Sequence, residues 1–508
     1  MISTPTKDKL RKDRKKREVR KIAGGVRISD PRFNRGGQLP AMESRYYAND
    51  TSAYVPEHWA QEAVGILYES MKFGGTVHTD FNDDIAAFGD TVHTRKNVEF
   101  EGKRKQNDLD DIVDQDAQAT TIDVVMNQRV YVSFLLGDRE RTVSFKDLVT
   151  TYLIEAIQAQ TRVVDQAIGS QAYQFLDNVA GGLGQLDKTN GHDYLLDGRE
   201  KFNNRKVPEN DRWLALASRS ETNFQKTDLF KSAERIGDGG RALREASLGR
   251  IAGWNSFLEL NTPSVRTAAT GTATTMTNAE VEGATVFDVA SGAALAVGQY
   301  FVVAGDYTPM RVLSIATNTI TCTRGLNKAT AAAAAVTPTT TALIDQSGAI
   351  AAGDKNPAVS DGYPIHWQKE IVYDGTGIPA VGQLVSFVTS GGTVLTQEYG
   401  IIQVDTTAKT ILLDRPLEAS IDDNAIVCLG PAGDYNMMYQ RSAIALVNRP
   451  LALPPSGSGV RAAHGFANNV SLRAAISWDS VKEATRVTVS GLFGVAVLDD
   501  QRGGVLLG

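Results

Sequence analysis

Apolar residues recur at helical spacing through one long stretch of this chain. Phe145, Val149, Tyr152, Ala156, Ala159, Val163 and Ala167 follow one another in steps of four and three. Leu148, Ile157, Val164, Ile168 and Phe175 widen that stripe, so an amphipathic helix with one broad buried side is predicted. The run Ser144–Asp177 holds no proline and a single interior glycine, Gly169. Ser144 with Asp147 three residues on reads as a capping box. A helix over the whole run is about 50 Å long. The glycines Gly181, Gly182 and Gly184 then end it. A rod of that length suits a backbone on which sheets are laid.

Elsewhere the period is mostly two. Ile122, Val124, Met126, Val130, Val132 and Phe134 largely alternate with polar residues, as does Val470–Trp478, so strands are predicted there, and Val487–Leu498 is read as a further strand. Thr76–Thr79 recurs as Thr91–Thr94, both β-prone. Between Thr94 and Thr121 lies a polar, charged excursion, which makes the flanking strands a reaching hairpin that needs a neighbour for support. Trp213–Ala217 reads as a buried strand, Ser220–Phe224 as a turn, and Asp228–Ala233 as a short helix. Ile251–Trp254 and Phe257–Leu260 read as a strand pair. Glu57–Phe73 has helical spacing after Pro56.

From residue 263 to 429 Thr, Ala, Gly and Ser dominate, and the segment carries an internal duplication. Ala296-Val297-Gly298-Gln299 recurs as Ala380-Val381-Gly382-Gln383, each followed by a strand. Each copy then runs to Thr-Ile-x-x-x-Arg-x-Leu, with Thr319, Ile320, Arg324 and Leu326 matched by Thr410, Ile411, Arg415 and Leu417. Two small β-barrel or sandwich-like units are expected, with Thr262–Glu282 and Lys328–Ala342 as low-complexity connectors.

At 508 residues the chain exceeds one hydrophobic core, so several domains are expected. The net charge of −6 gives no global attraction to nucleic acid. Charge matters locally instead: from Lys7 to Lys21 ten lysines and arginines face only Asp8, Asp13 and Glu18. This is a basic arm that touches nucleic acid or an acidic partner, or else a solvated charge run. Cys322 and Cys428 sit in apolar β-like runs, so buried free thiols in a reducing compartment are expected. Neither a secretory leader nor a membrane span is expected from the polar, basic start and the absence of long apolar runs.

Candidate chemistry is sparse. Gly237–Ala242 fits G-x-G-x-x-A, but no strand precedes it, so a turn is the preferred reading. His78 and His93 lack a third metal ligand at useful spacing. No phosphate-binding P-loop, nucleophile elbow or H-E-x-x-H is present. No catalytic residue, metal or cofactor is assigned. Two further readings stay open: a nucleotide-binding enzyme using Gly237–Ala242, and a surface- or carbohydrate-binding β-repeat protein.

Several blocks together resemble the tailed-phage major capsid proteins of the Hong Kong 97-type fold, most nearly the coat-protein family typified by Salmonella podoviruses. Phe88–Arg95 resembles the family's strand before its extended loop, and Ser144–Leu176 its spine helix. Ala242–Trp254 resembles its Arg-Glu-Gly-x-Ile-Gly-Arg-Ile-Ala-Gly-Phe run, with Ala246 where glycine is common. Met437–Pro454 resembles its Phe-His-x-x-Ala-x-Ala-Leu-Val-x-x-Pro-Leu run, with Gln440 where histidine is common. Leu492–Leu498 resembles its terminal strand. The resemblance implies an α+β fold with a spine helix, an extended β-hairpin loop, axial and peripheral domains and an inserted all-β domain. The implied division is a basic arm at 1–50, a helix and strand at 51–98, the extended loop at 99–135 and the spine helix at 136–180. The first axial part follows at 181–262, the duplicated β insert at 263–429, and the closing axial and peripheral strands at 430–508. It also implies a non-enzymatic shell subunit that assembles as pentamers and hexamers in the host bacterial cytoplasm and ends in the virion capsid. Its partners would be copies of itself, a scaffolding protein, a portal protein and packaged double-stranded DNA, with a decoration protein as an optional addition and no membrane. Glu99, Glu101, Lys103, Arg104, Lys105, Asp110 and Asp111 would meet a neighbouring subunit. Lys12, Arg14, Lys15, Lys16, Arg17, Arg20 and Lys21 would face the interior, the scaffold or DNA.

Overall fold

Two sheets share the strand-rich body, and two β modules are inserted between their strands. The computed structural model describes residues 72–79, 91–96, 100, 102–105, 107, 111–112, 114, 120–137, 148–227, 248–344, 371–374, 378–415, 417–419, 421, 424–449, 451–455, 460–467 and 470–508. The basic arm, the helix expected at Glu57–Phe73 (save Lys72 and Phe73), the segment Asp228–Ala233 and the Gly237–Ala242 motif lie outside the described residues.

The first sheet is organised on the strand Ala484–Val497. It pairs antiparallel with Gln128–Gly137 from Ala484↔Gly137 to Phe493↔Gln128. Its opposite edge is shared: Val470–Asp479 pairs with the first half, Ile444–Arg449 with the second. Arg461–Ala467 completes the sheet beyond Val470–Asp479. Val487, Val489 and Phe493 alternate onto one buried face. Helix α1, Leu148–Ser170, packs there through Ala156, Val164, Ala167 and Ile168. Gln160 pins it by donating to the Val489 carbonyl at 2.5 Å.

The helix ends earlier than its sequence period predicts. The α-helical part ends at Ser170 and tightens into a 3-10 turn over Gln171–Phe175. The 23 described residues of α1 span about 35 Å, and the expected cap at Ser144 and Asp147 lies outside the described residues. The tightening seats the Phe175 ring so close to Gly503 that a Cβ there would lie 2.2 Å from it. Tertiary packing thus overrides the local period.

The second sheet runs in the order Val179–Gly181, Gly503–Leu507, Gly433–Gln440, Arg212–Leu216, Trp254–Leu258, Arg250–Ile251. Ser264–Val265 also pairs with the start of Gly433–Gln440. That strand is buried on both faces. Tyr435, Met437 and Tyr439 enter the core beneath α1, while Met438 enters a second core with Trp254, Phe202 and Leu214. Phe202 lies on helix α2, Gly191–Asn204. It meets Trp254 edge-on at 4.7 Å, with the Arg212 guanidinium 5.7 Å from the indole. Two expectations are corrected here. Ser220–Phe224 belongs to helix α3, Ser218–Gln225, which buries Ser220 and Phe224, rather than to a turn. The last strand is Gly503–Leu507, beyond the predicted close at Leu492–Leu498.

The duplication is structural. The second module is a closed barrel of Thr341–Ile344, Ile371–Asp374, Thr410–Leu413, Tyr399–Asp405, Leu384–Val388 and Ile426–Leu429. The first has the same order: Thr274–Thr275, Val286–Asp288, Thr319–Cys322, Met310–Ala316, Tyr300–Val303 and Ala335–Pro338, its two ends joined by a Met276↔Val289 bridge. The stretches read as connectors therefore carry strands. Their small residues hid a period of two that only pairing with distant partners makes visible.

Both cysteines are buried in these modules, and burial pushes each thiol up to about 12. At pH 8 an alkylating reagent is expected to leave the native protein unmodified and to label both thiols in denaturant, as read by intact mass; native labelling would contradict the packing. The folded pKa lies above the unfolded value near 9.0. The thiols' contribution to stability is therefore complete below about pH 9 and falls as pH rises toward 12.

Candidate assembly surface

Thr91–Lys96 and Thr120–Val125 form an antiparallel pair from Thr91↔Val125 to Lys96↔Thr120. Six residues of strand carry the chain about 20 Å. The root of this hairpin is built into the body. Val124 and Met126 are buried against Ala445 and Val447. Gly494 lets the returning strand cross the long sheet, since a Cβ there would lie 2.2 Å from the Val125 carbonyl oxygen.

The far end is different. Phe100 is 64% exposed and Ile112 79% exposed. Lys103, Arg104, Lys105, Asp111 and Asp114 are exposed as well. In the chain, basic residues follow exposed Phe100 and acidic residues stand on either side of exposed Ile112. Of the residues predicted from sequence to meet a neighbour, Lys103, Arg104, Lys105 and Asp111 sit together on this excursion. Glu99, Glu101 and Asp110 lie outside the described residues, as do Lys12, Arg14, Lys15, Lys16, Arg17, Arg20 and Lys21.

The long sheet adds two exposed aromatics that sequence reasoning missed. Tyr131 is 68% exposed and pairs with Ser490, on the face turned away from α1. Trp478, 52% exposed, is the penultimate residue of Val470–Asp479 and pairs with Thr485. Their places in alternating runs marked them as strand residues but not which face stays uncovered.

The second module is anchored to the body through buried polar groups. Asp414 is wholly buried and accepts from the Gly400 amide at 3.0 Å, from Arg415 at 3.1 Å and from Gln171 at 3.4 Å. Its own carbonyl accepts from Gln128 at 2.8 Å. Burial pushes the Asp414 carboxyl up, and Arg415 and the Gly400 amide pull it back. Burial also works against the Arg415 cation, but Asp414 and Glu418 outweigh it and raise its pKa. Strand Gln128–Gly137, the turn after α1 and the barrel therefore meet at one residue, Asp414, through its main-chain carbonyl and its carboxylate. Arg324, the repeat partner of Arg415, bonds Asp177 at 2.8 Å and pairs with Glu398, which also accepts from Tyr300 at 2.8 Å. The repeated Arg was legible in the sequence; its carboxylate partners were not.

Among the described residues no group of three or more His, Cys, Asp or Glu could hold a metal ion, and no helix is long and apolar enough to cross a membrane.

Among solved structures, the chain is similar to one from Mycobacterium phage Che8, with 12% identity, 89% of this chain and 97% of that chain covered and a TM-score of 0.44. A capsid structure of the cyanophage P-SCSP1u matches with 9% identity, 88% and 91% coverage and a TM-score of 0.41. The asymmetric unit of the bacteriophage PhiM1 mature capsid matches with 9% identity, 87% and 88% coverage and a TM-score of 0.39. No family model and no curated protein matches the chain.

Proposed function

We propose that this chain is the shell-forming major capsid subunit of a tailed bacteriophage, built on the Hong Kong 97-type plan. The observation that carries the reading is the hairpin: its root is buried in the body while its far end holds Phe100 and Ile112 out in water beside opposite charges. A lone hairpin with such an end is unstable without a partner surface. Repeated contacts of that kind between copies close rings when the rotation closes, which suits pentamers and hexamers tiling an icosahedral shell around double-stranded DNA. The resemblance of Phe88–Arg95, Ser144–Leu176 and Met437–Pro454 to capsid-protein blocks supports the same reading. In it the long sheet with α1 is the peripheral domain, the sheet around Gly433–Gln440 the axial domain, and the two barrels the insert on the outer face. The basic arm reaches a neighbour, the scaffold or DNA.

Purified recombinant protein, alone or co-expressed with a scaffolding protein, is expected to form hollow particles in electron micrographs. A chain that stays monomeric under all such conditions would falsify the reading.

A further inference from the structure

The duplicated Ala-Val-Gly-Gln turn has the same internal wiring in both modules. Gly298 and Gly382 take left-handed φ values of 82° and 79°. Their amides donate to the carbonyls of Val312 at 2.8 Å and Ile401 at 2.7 Å. The Gln299 and Gln383 side-chain oxygens accept from the amides of Ala296 at 2.8 Å and Ala380 at 2.9 Å. Their amide nitrogens reach the carbonyls of Thr339 and Gly430.

The two turns face different neighbours. Gly298 abuts the second module: a Cβ there would lie 2.0 Å from Val388. Gly382 abuts the body, 3.4 Å from the Ser264 amide by the same measure. Each glycine carbonyl also accepts a side-chain donor. For Gly382 the donor is the Tyr173 hydroxyl, from the turn after α1. For Gly298 it is Arg311 Nε at 3.1 Å.

Arg311 is 1% exposed. Its guanidinium crosses the junction to donate to the carbonyls of Phe387, at 2.9 Å, and Leu395, and it lies 5.7 Å from the Tyr300 ring. None of these hydrogen-bond partners is a carboxylate. At the equivalent place the second module has Gly400, where a Cβ would collide with Ser170 of α1 at 2.5 Å. One position therefore carries a bolt in one copy and clearance for the body in the other.

We infer that the turn is a docking device used twice, head to tail: the first module plugs into the second and the second into the body, with Arg311 fastening the first junction and Tyr173 the second. The series closes on itself. The loop after the first repeat strand of module one returns to the body, where Tyr307 accepts from the Leu183 amide at 2.8 Å. Module one also enters and leaves at one neck, where Thr270 bridges Thr339 and the Gly271 amide donates to Pro338 at 2.8 Å. Without Arg311 the junction with the second module keeps the Arg324 and Tyr300 bonds to Glu398 and loosens only around the Gly298 turn, while module one stays a folded unit held at its neck and at Tyr307. This inference does not depend on the shell reading.

Hydrogen exchange of full-length Arg311→Met tests it. Exchange at the Gly298, Val312 and Leu395 amides is expected to rise by about tenfold or more, because three carbonyls lose a buried donor. The strands Tyr300–Val303 and Gly433–Gln440 are expected to keep their protection. Gly298→Ala opens the same junction sterically and should give the same pattern, whereas Gly382→Ala should loosen Tyr399–Asp405 and the Ser264 region instead. Unchanged exchange in Arg311→Met and Gly298→Ala would overturn the inference. So would loss of protection throughout Tyr300–Val303, which would make Arg311 part of the barrel core rather than a junction.

Discussion

Deletion of residues 100–118 is expected to leave a subunit that folds and melts like the parent but forms no particles. The hairpin root lies outside the deletion, so Val124 and Met126 stay packed on Ala445 and Val447. What is lost is the exposed end. Covering Phe100 and Ile112 on a neighbour would contribute about 1.5–3 kcal/mol for each side chain. Each exposed charge pair would add only about 0–1 kcal/mol. The apolar pair therefore dominates, and Phe100→Ser with Ile112→Ser is expected to reproduce most of the defect. Reversing Lys103, Arg104 and Lys105 to glutamate is expected mainly to change how assembly depends on salt. Sedimentation and negative-stain micrographs read the outcome. Normal particles from the deletion would remove the hairpin from the assembly mechanism.

Asp414→Ala is expected to be the most damaging single substitution at the anchor of the second module, costing about 3–5 kcal/mol, because one member of a buried, hydrogen-bonded ion pair is removed. Among the described residues Arg415 is then left buried with Glu418 as its one charged partner, and the Gly400 amide and Gln171 lose an acceptor. Since Gln171 follows α1 directly, the loss is felt in the barrel and in the helix end together. Asp414→Asn keeps the shape and one acceptor and is expected to cost less. Chemical denaturation of the two variants measures the difference. Equal stability of Asp414→Ala and the parent would show that the barrel is held by its apolar contacts alone.

Much of the body could be read from periodicity. α1, the long strands Val470–Asp479 and Ala484–Val497, and the short strand Arg212–Leu216 lie where apolar spacing places them. The repeat was legible because identical turns keep identical residues: Gly for a left-handed φ, and Gln for a side chain that bonds its own turn. Other elements gave weak local signals. Helix α2 is polar on its exposed side and interrupted by Gly198, where a Cβ would lie 2.8 Å from the Met438 sulfur. Gly503–Leu507 opens with two glycines that exist for the close approach of Phe175 and Asn178, a reason visible only in three dimensions.

The residues of the candidate surface divide the same way. Lys103, Arg104, Lys105 and Asp111 could be picked from sequence because a charged run between two strands has no core to enter. Tyr131, Arg311, Glu398 and Asp414 could not, because their roles depend on which distant group stands opposite.

Local spacing determined where the rod, the hairpin arms, the paired turns and the buried thiols fall, since each rests on neighbours a few residues away. The tertiary structure alone decided that α1 stops at Ser170, that two threonine-rich stretches become strands, and that Arg311 is buried without an acid while its counterpart is Gly400. Those outcomes turn on contacts across scores of residues, where desolvation and close packing outweigh the preferences of any short segment.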